Sequence, residues 1–162
     1  MTQMNFAEAL SFGEKVELYV LSRILKKYPR AYKVEGKNSK WDIFIPERGI
    51  GIEVKSDCMS NYTGNYVIEV AFDRKPSALT ATQAEFWVLY DSESLVWISP
   101  NSLMRCILYN GIPQRNFRGG TDRKFKSAYL VEKTLIKRWA DFIDTNLDDV
   151  PVEIKRKTDD EV

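Results

Sequence analysis

From residue 11 to about residue 28, the apolar residues that follow Leu10 (Val20, Leu21, Ile24, Leu25 and Tyr28) recur at helical spacing. Lys15, Ser22, Arg23 and Lys26 lie opposite them. The pattern predicts an amphipathic helix that ends before Pro29. Ser11-Phe12-Gly13-Glu14 fits the S-x-x-E capping box, which puts the helix start at Ser11 and gives Glu14 a capping task. The period then changes from 3.6 to 2. Extended segments are expected at residues 41–45, 50–57, 66–73, 86–90 and 95–99, divided by turn-forming stretches such as Pro46-Glu47-Arg48-Gly49 and Tyr62-Thr63-Gly64-Asn65. A short helix is expected at 80–84, and a longer one opens at Pro100 and reaches about Tyr109, with Ser99 as its N-cap. Residues 110–126 read as a polar loop, 128–132 as an edge strand and 134–144 as a last amphipathic helix. The order describes an α/β domain over residues 1–145 and a charged tail over 146–162, with no internal repeat.

Four charged residues fall where this pattern wants apolar ones. Glu17 lies within ~20° of the centre of the helical stripe, at about 100° per residue. Asp42 opens the first strand, and Glu53 and Lys55 share one face of the second, beside Gly49 and Gly51, with Ile50, Ile52 and Val54 on the other face. Charges in buried strands are costly unless they pair, bind a metal or do chemistry. The two glycines suit either close approach of a ligand or backbone, or a bulge or tight turn. Glu17 admits two readings, an ion pair with a neighbouring lysine or a place in a metal site on the sheet beneath; Glu14 is its substitute.

The 162 residues suffice for one well-buried domain, with roughly 70% of the unfolded surface removed from water. With 44% apolar and 29% charged residues, no apolar run approaching a membrane span and no signal-peptide pattern at the start, a soluble cytoplasmic protein is expected. Histidine is absent, which excludes Ser-His-Asp and Cys-His catalysis and histidine-ligated metals; Cys58 and Cys106 are too far apart for a C-x-x-C motif. Hydrolytic chemistry would therefore run on carboxylates, lysine and a hard metal. The net charge of +1 conceals a basic stretch from Arg105 to Trp139 followed by an acidic tail. Within it Arg115, Arg118, Arg123, Lys124 and Lys126 alternate with Phe117 and Phe125, a composition suited to phosphate contact and base stacking or simply to a solvated loop.

Helix, three strands, helix and strand, carrying Glu17, Asp42 and Glu53-Val54-Lys55, resemble the PD-(D/E)xK nuclease superfamily. Gly13-Glu14-Lys15-Val16-Glu17 looks like the G-x-x-x-E of its resolvase-like members. The resemblance covers about residues 11–90, and Trp41 stands where the family motif has proline. It implies a restriction-endonuclease-like αβββαβ core, a mixed sheet flanked by helices. It also implies Mg²⁺, with Mn²⁺ as a substitute, held by Asp42, Glu53, the Val54 carbonyl and Glu17, and Lys55 orienting water or neutralising charge. The implied activity is DNA phosphodiester hydrolysis, with junctions and branched DNA among the candidate substrates, by a protein small enough to act as a homodimer, without an organic cofactor. Lys75 and Gln83 stand where some relatives carry functional lysine or glutamine, and Lys75 joins the basic residues as a DNA contact. Two alternatives remain open: a buried Asp42/Glu53/Lys55 ion network with no chemistry, and a nucleic-acid or protein interaction module on the same fold.

Overall fold

The computed structural model describes residues 6–36, 40–118 and 124–152. The first helix, α1, spans Phe6–Leu25 and buries Phe12, Val16, Val20 and Ile24; of the predicted stripe Leu21 is half-buried and Leu25 exposed, so the buried row is turned away from the expected one and Glu17 lies beside it, not at its centre. Ser11 lies exposed inside this helix, so the predicted capping box does not start it; Ala7, Glu8, Ala9 and Leu10 are strong helix formers that extend the element upstream.

The chain continues through β1 (Tyr32–Lys33), β2 (Ile43–Ile45), β3 (Ile50–Ser56), α2 (Ser60–Thr63), β4 (Asn65–Phe72), β5 (Lys75–Pro76) and a 3-10 turn (Ala78–Thr80). It then forms β6 (Phe86–Tyr90), β7 (Leu95–Ile98), α3 (Pro100–Tyr109), β8 (Gln114–Arg118), β9 (Phe125–Glu132), α4 (Lys133–Trp139) and β10 (Phe142–Asp144). The described strands form two sheets, β1-β2-β3-β6-β7-β10 and β5-β4-β9-β8. The larger is mixed: β3 and β6 are parallel, with Glu53 opposite Trp87 and Lys55 opposite Leu89, and the other pairs are antiparallel. The chain is therefore mixed α/β, with a mixed central sheet and helices.

Parallel neighbours require a crossover. Here residues 57–85 provide it, and they build part of the second sheet on the way. The third predicted strand thus pairs with β9 and β5 and does not join β2 and β3, and the helix expected at 80–84 is one 3-10 turn at Ala78–Thr80. The 110–126 stretch, read as a loop, contains β8 and the start of β9, and β9 lies inside the second sheet between β4 and β8. The last helix stops at Trp139, after which β10 pairs with β7. By contrast, α3 has its predicted bounds, and the Ser102 N–H donates to the Ser99 side chain at 3.1 Å.

One face of the larger sheet packs Ile43, Ile45, Ile52, Val54, Val88 and Tyr90 against α1. The other places Trp87, Leu89, Val96 and Ile98 against Tyr66, Ile68 and Val70 of β4 and Leu103 and Ile107 of α3. A buried polar clamp joins the two sheets. Asp91, just after β6 and fully buried, pairs with Lys133 Nζ at 2.5 Å and accepts from the Tyr66 hydroxyl and from the backbone N–H groups of Glu93 and Ser94. Lys133 also donates to Asn61 Oδ1 at 2.6 Å. Burial pushes the Asp91 carboxyl up, but the Lys133 hydrogen bond and the two N–H groups outweigh it and hold it below its ordinary value.

Of the tail predicted at 146–162, residues 146–152 are tied back to the domain: Arg23 pairs with Asp144 and Asp148, and the Tyr90 hydroxyl donates to the Pro151 carbonyl. Residues 153–162 lie outside the described part. No helix among the described residues is long and apolar enough to cross a membrane.

Candidate active site

Asp42 is placed by the main chain on both sides of the β2–β3 pairing. Its N–H donates to the Ile52 carbonyl at 2.9 Å, and its Oδ2 accepts from the Val54 N–H at 2.8 Å. The carboxylate thereby continues the ladder where β2 has not yet begun. Two residues of alternation put Glu53 and Lys55 on the sheet face that looks toward the second sheet. Lys55 Nζ lies 3.1 Å from Glu53 Oε1 and 5.3 Å from the centre of the Trp87 ring. Glu17 stands on α1, which packs on the opposite face, and is paired with Lys33 of β1 at 3.5 Å, with Asp42 as its nearest charge among the three strand residues.

All three carboxylates are partly withdrawn from water, and their electrostatics connect them. Burial raises the Glu17 carboxyl above its ordinary range, the charge of Asp42 raises it further, and Lys33 opposes both. Burial likewise raises Asp42, against the Val54 N–H and the charges of Lys55 and Lys33. Glu53 is raised by burial and held down in part by Lys55, while Asp42 adds to the rise. Asp42 is thus the common neighbour of Glu17 and Glu53. Glu14 is exposed, so Glu17 is the helix carboxylate nearer the strands.

Glu53 and Lys55 open onto a cleft of about 340 Å³ whose wall also includes Lys40, Glu69, Gln83 and Trp87. A second hollow of about 460 Å³ shares Lys55, Glu69 and Trp87 with it and runs on past Asp57 and Val67. The groove therefore follows the seam between the two sheets. Gly51 does not border it as an opening for a ligand: a Cβ there would collide with the Trp41 indole, which packs on the bare backbone. Gly49 has φ +62° and serves the β2–β3 turn.

Two hard-cation donors, Asp42 just before β2 and Glu53 on β3, form a donor set compatible with a metal that keeps most of its waters. Among the described residues no three carboxylate or thiol groups converge on one metal position. Glu17 is directed to Lys33, and Asp42 has one oxygen engaged by Val54.

The predicted basic residues separate into groups. Arg115 and Arg118 are exposed on β8, and Lys75 is exposed on β5. Lys124 pairs with Asp73 at 3.6 Å, Lys126 lies 5.5 Å from the Phe72 ring centre, and Arg123 falls outside the described residues. Two members of the site escaped the sequence reading. Lys33 lies on a two-residue strand, too short to show a period, and Glu69 occupies the solvated face of an alternating strand, where its approach to the cleft depends on which sheet β4 joins. In comparisons with protein-family models, curated proteins and solved structures, nothing matches this chain.

Proposed function

We propose that this chain is a Mg²⁺-dependent DNA endonuclease. The observation that carries the reading is Asp42, just before β2, bonded to the β3 backbone beside Glu53, with Glu53 and Lys55 lining a groove large enough for a phosphate and its flanking sugars. Asp42, Glu53 and the Val54 carbonyl would hold the cation, Val54 lying between Glu53 and Lys55 in the chain. When bound, the cation supplies an acidified water and offsets charge on the phosphate. Lys55 is exposed enough to leave Glu53 and donate to a phosphate oxygen as negative charge builds there. Glu17 and Lys33 set the charge around Asp42 from the helix side. A DNA-binding homodimer is part of the proposal, since one such site cuts one strand.

The test is incubation with supercoiled plasmid, linear duplex and four-way junction, with and without Mg²⁺ or Mn²⁺. Metal-dependent nicking is expected, and Lys55→Ala should abolish it at unchanged circular dichroism. Intact DNA in every arm would refute the reading. The ion pairs Glu17–Lys33 and Glu53–Lys55 favour a second reading, a binding module in which these charges only satisfy one another. That protein would bind nucleic acid in a salt-sensitive way without taking up metal through Asp42 and Glu53.

A further inference from the structure

We infer that the outward face of the second sheet is a platform for single-stranded DNA that delivers the strand into the Glu53–Lys55 cleft. The inference rests on the nuclease reading for what happens in the cleft, but the platform itself follows from strand register. In β8 and β9, Arg115 lies opposite Ala128 and Phe117 opposite Lys126. In β9 and β4, Ala128 lies opposite Glu69 and Lys126 opposite Phe72. Residues directly opposite share a sheet face, so two rows, Glu69–Ala128–Arg115 and Phe72–Lys126–Phe117, lie side by side. The register shift between Glu69 and Ala71 is what brings Glu69 and Phe72, three residues apart, onto one face.

On this face Arg115 is exposed, Phe117 is 41% exposed, Phe72 and Lys126 are half-buried, and the small Ala128 between Glu69 and Arg115 is covered; the alternate residues Tyr66, Ile68 and Val131 are buried in the core. The β8 strand is exposed along its whole length. Phe72 and Phe117 stand two strands apart, roughly 10 Å at the usual strand spacing. Between them, the Lys126 ammonium lies 5.5 Å from the Phe72 ring centre. The Lys124 ammonium lies over the same ring at 6.0 Å, so the exposed Phe117 ring beside the cations over Phe72 suits an unstacked base with the backbone running past the charge. A duplex keeps its base faces hidden and could use only the cations. Glu69 ends its row and lines the cleft with Glu53 and Lys55, which puts the platform beside the cleft. Its carboxylate accepts from the Ser77 hydroxyl at 2.8 Å and so is turned toward the 3-10 turn.

Fluorescence anisotropy with a labelled oligodeoxynucleotide, single-stranded or annealed to its complement, tests this in the presence of a chelator, so that binding is read without cleavage. The single strand should bind at least about tenfold more tightly than the duplex. Phe117→Ala should weaken single-strand binding about tenfold, within the range for loss of one stacked base, and leave duplex binding unchanged. Lys126→Ala should lower the slope of log K against log salt by about one. Duplex binding as tight as single-strand binding, or a Phe117→Ala variant indistinguishable from wild type, would overturn the platform. So would sedimentation showing that this face is covered by a second copy and that Phe117→Ala releases it. Single-strand preference without cleavage in Mg²⁺ would leave the platform standing and remove the nuclease reading; cleavage without that preference would do the reverse.

Discussion

Replacing Lys133 with methionine isolates the clamp between the two sheets. Methionine retains much of the apolar stem and removes the ammonium, leaving the fully buried Asp91 with neutral donors only: the Tyr66 hydroxyl, Ser94 and the Glu93 N–H. Breaking a buried pair from one side typically costs 3–5 kcal/mol, and because these donors remain, the expected loss is near the lower end, about 3 kcal/mol. Against a total of ~5–15 kcal/mol for a domain, this is a large share. With a urea m-value of roughly 1–3 kcal/mol/M, the unfolding midpoint should fall by about 1–3 M, followed through the buried Trp87. The pH dependence supplies a second check. The Asp91 carboxyl is held below its ordinary 3.8 in the folded protein, so its contribution is full above pH 3.8 and is lost as pH falls through the folded value. The gap between wild type and Lys133→Met should therefore narrow toward pH 3. A loss under about 1 kcal/mol, or a gap equally wide at pH 7 and pH 3, would show that the clamp behaves as a surface ion pair.

Glu53→Gln should stabilise the protein at neutral pH, on the order of 1 kcal/mol, because it removes a charge that burial disfavours and lets Lys55 return to water. The sign follows from its raised carboxyl: wild-type stability falls as pH rises from 4.5 through the folded value, so the melting-temperature advantage of Glu53→Gln should grow from pH 4 to pH 8; a shrinking advantage would contradict the burial argument. Gly51→Ala should cost about 1–3 kcal/mol by forcing the new methyl into the Trp41 ring. Adding Trp41→Ala should make the cost of the Gly51 change largely vanish in a double-mutant cycle; strict additivity would mean that the two do not touch.

Much of the larger sheet was legible because burial on one or both faces imposes a period. The strand at Phe86–Tyr90 and the helix at Pro100–Tyr109 have their predicted bounds, and Glu53 and Lys55 share one strand face as alternation put them, whereas Asp42, expected inside its strand, stands just before it. Pairing was less legible, since alternation marks a strand without naming its neighbour. The segment at Asn65–Phe72 alternates equally well in either sheet, and only its partner at Phe125–Glu132, far along the chain, decides. The strand at Gln114–Arg118 has no buried face, so its sequence carries no period, and glycine and arginine alone made it look like a loop. Gly51 was noticed for its missing side chain, but its cause, the Trp41 indole, requires the β2–β3 turn to be folded in space.

The pairing of β4 with β9 also governs the order in which the molecule can be assembled. Ile68 meets Tyr129, so about sixty residues must follow β4 out of the ribosome before its partner exists. At ~5–20 residues per second this is roughly 3–12 s. During that interval Tyr66, Val67, Ile68 and Val70 form an apolar strand with an open edge, the kind of surface on which nascent chains pair with one another. A chain halted before residue 125 keeps that edge open indefinitely, and such fragments should accumulate as aggregates even when the segment up to Tyr90 has already closed around α1.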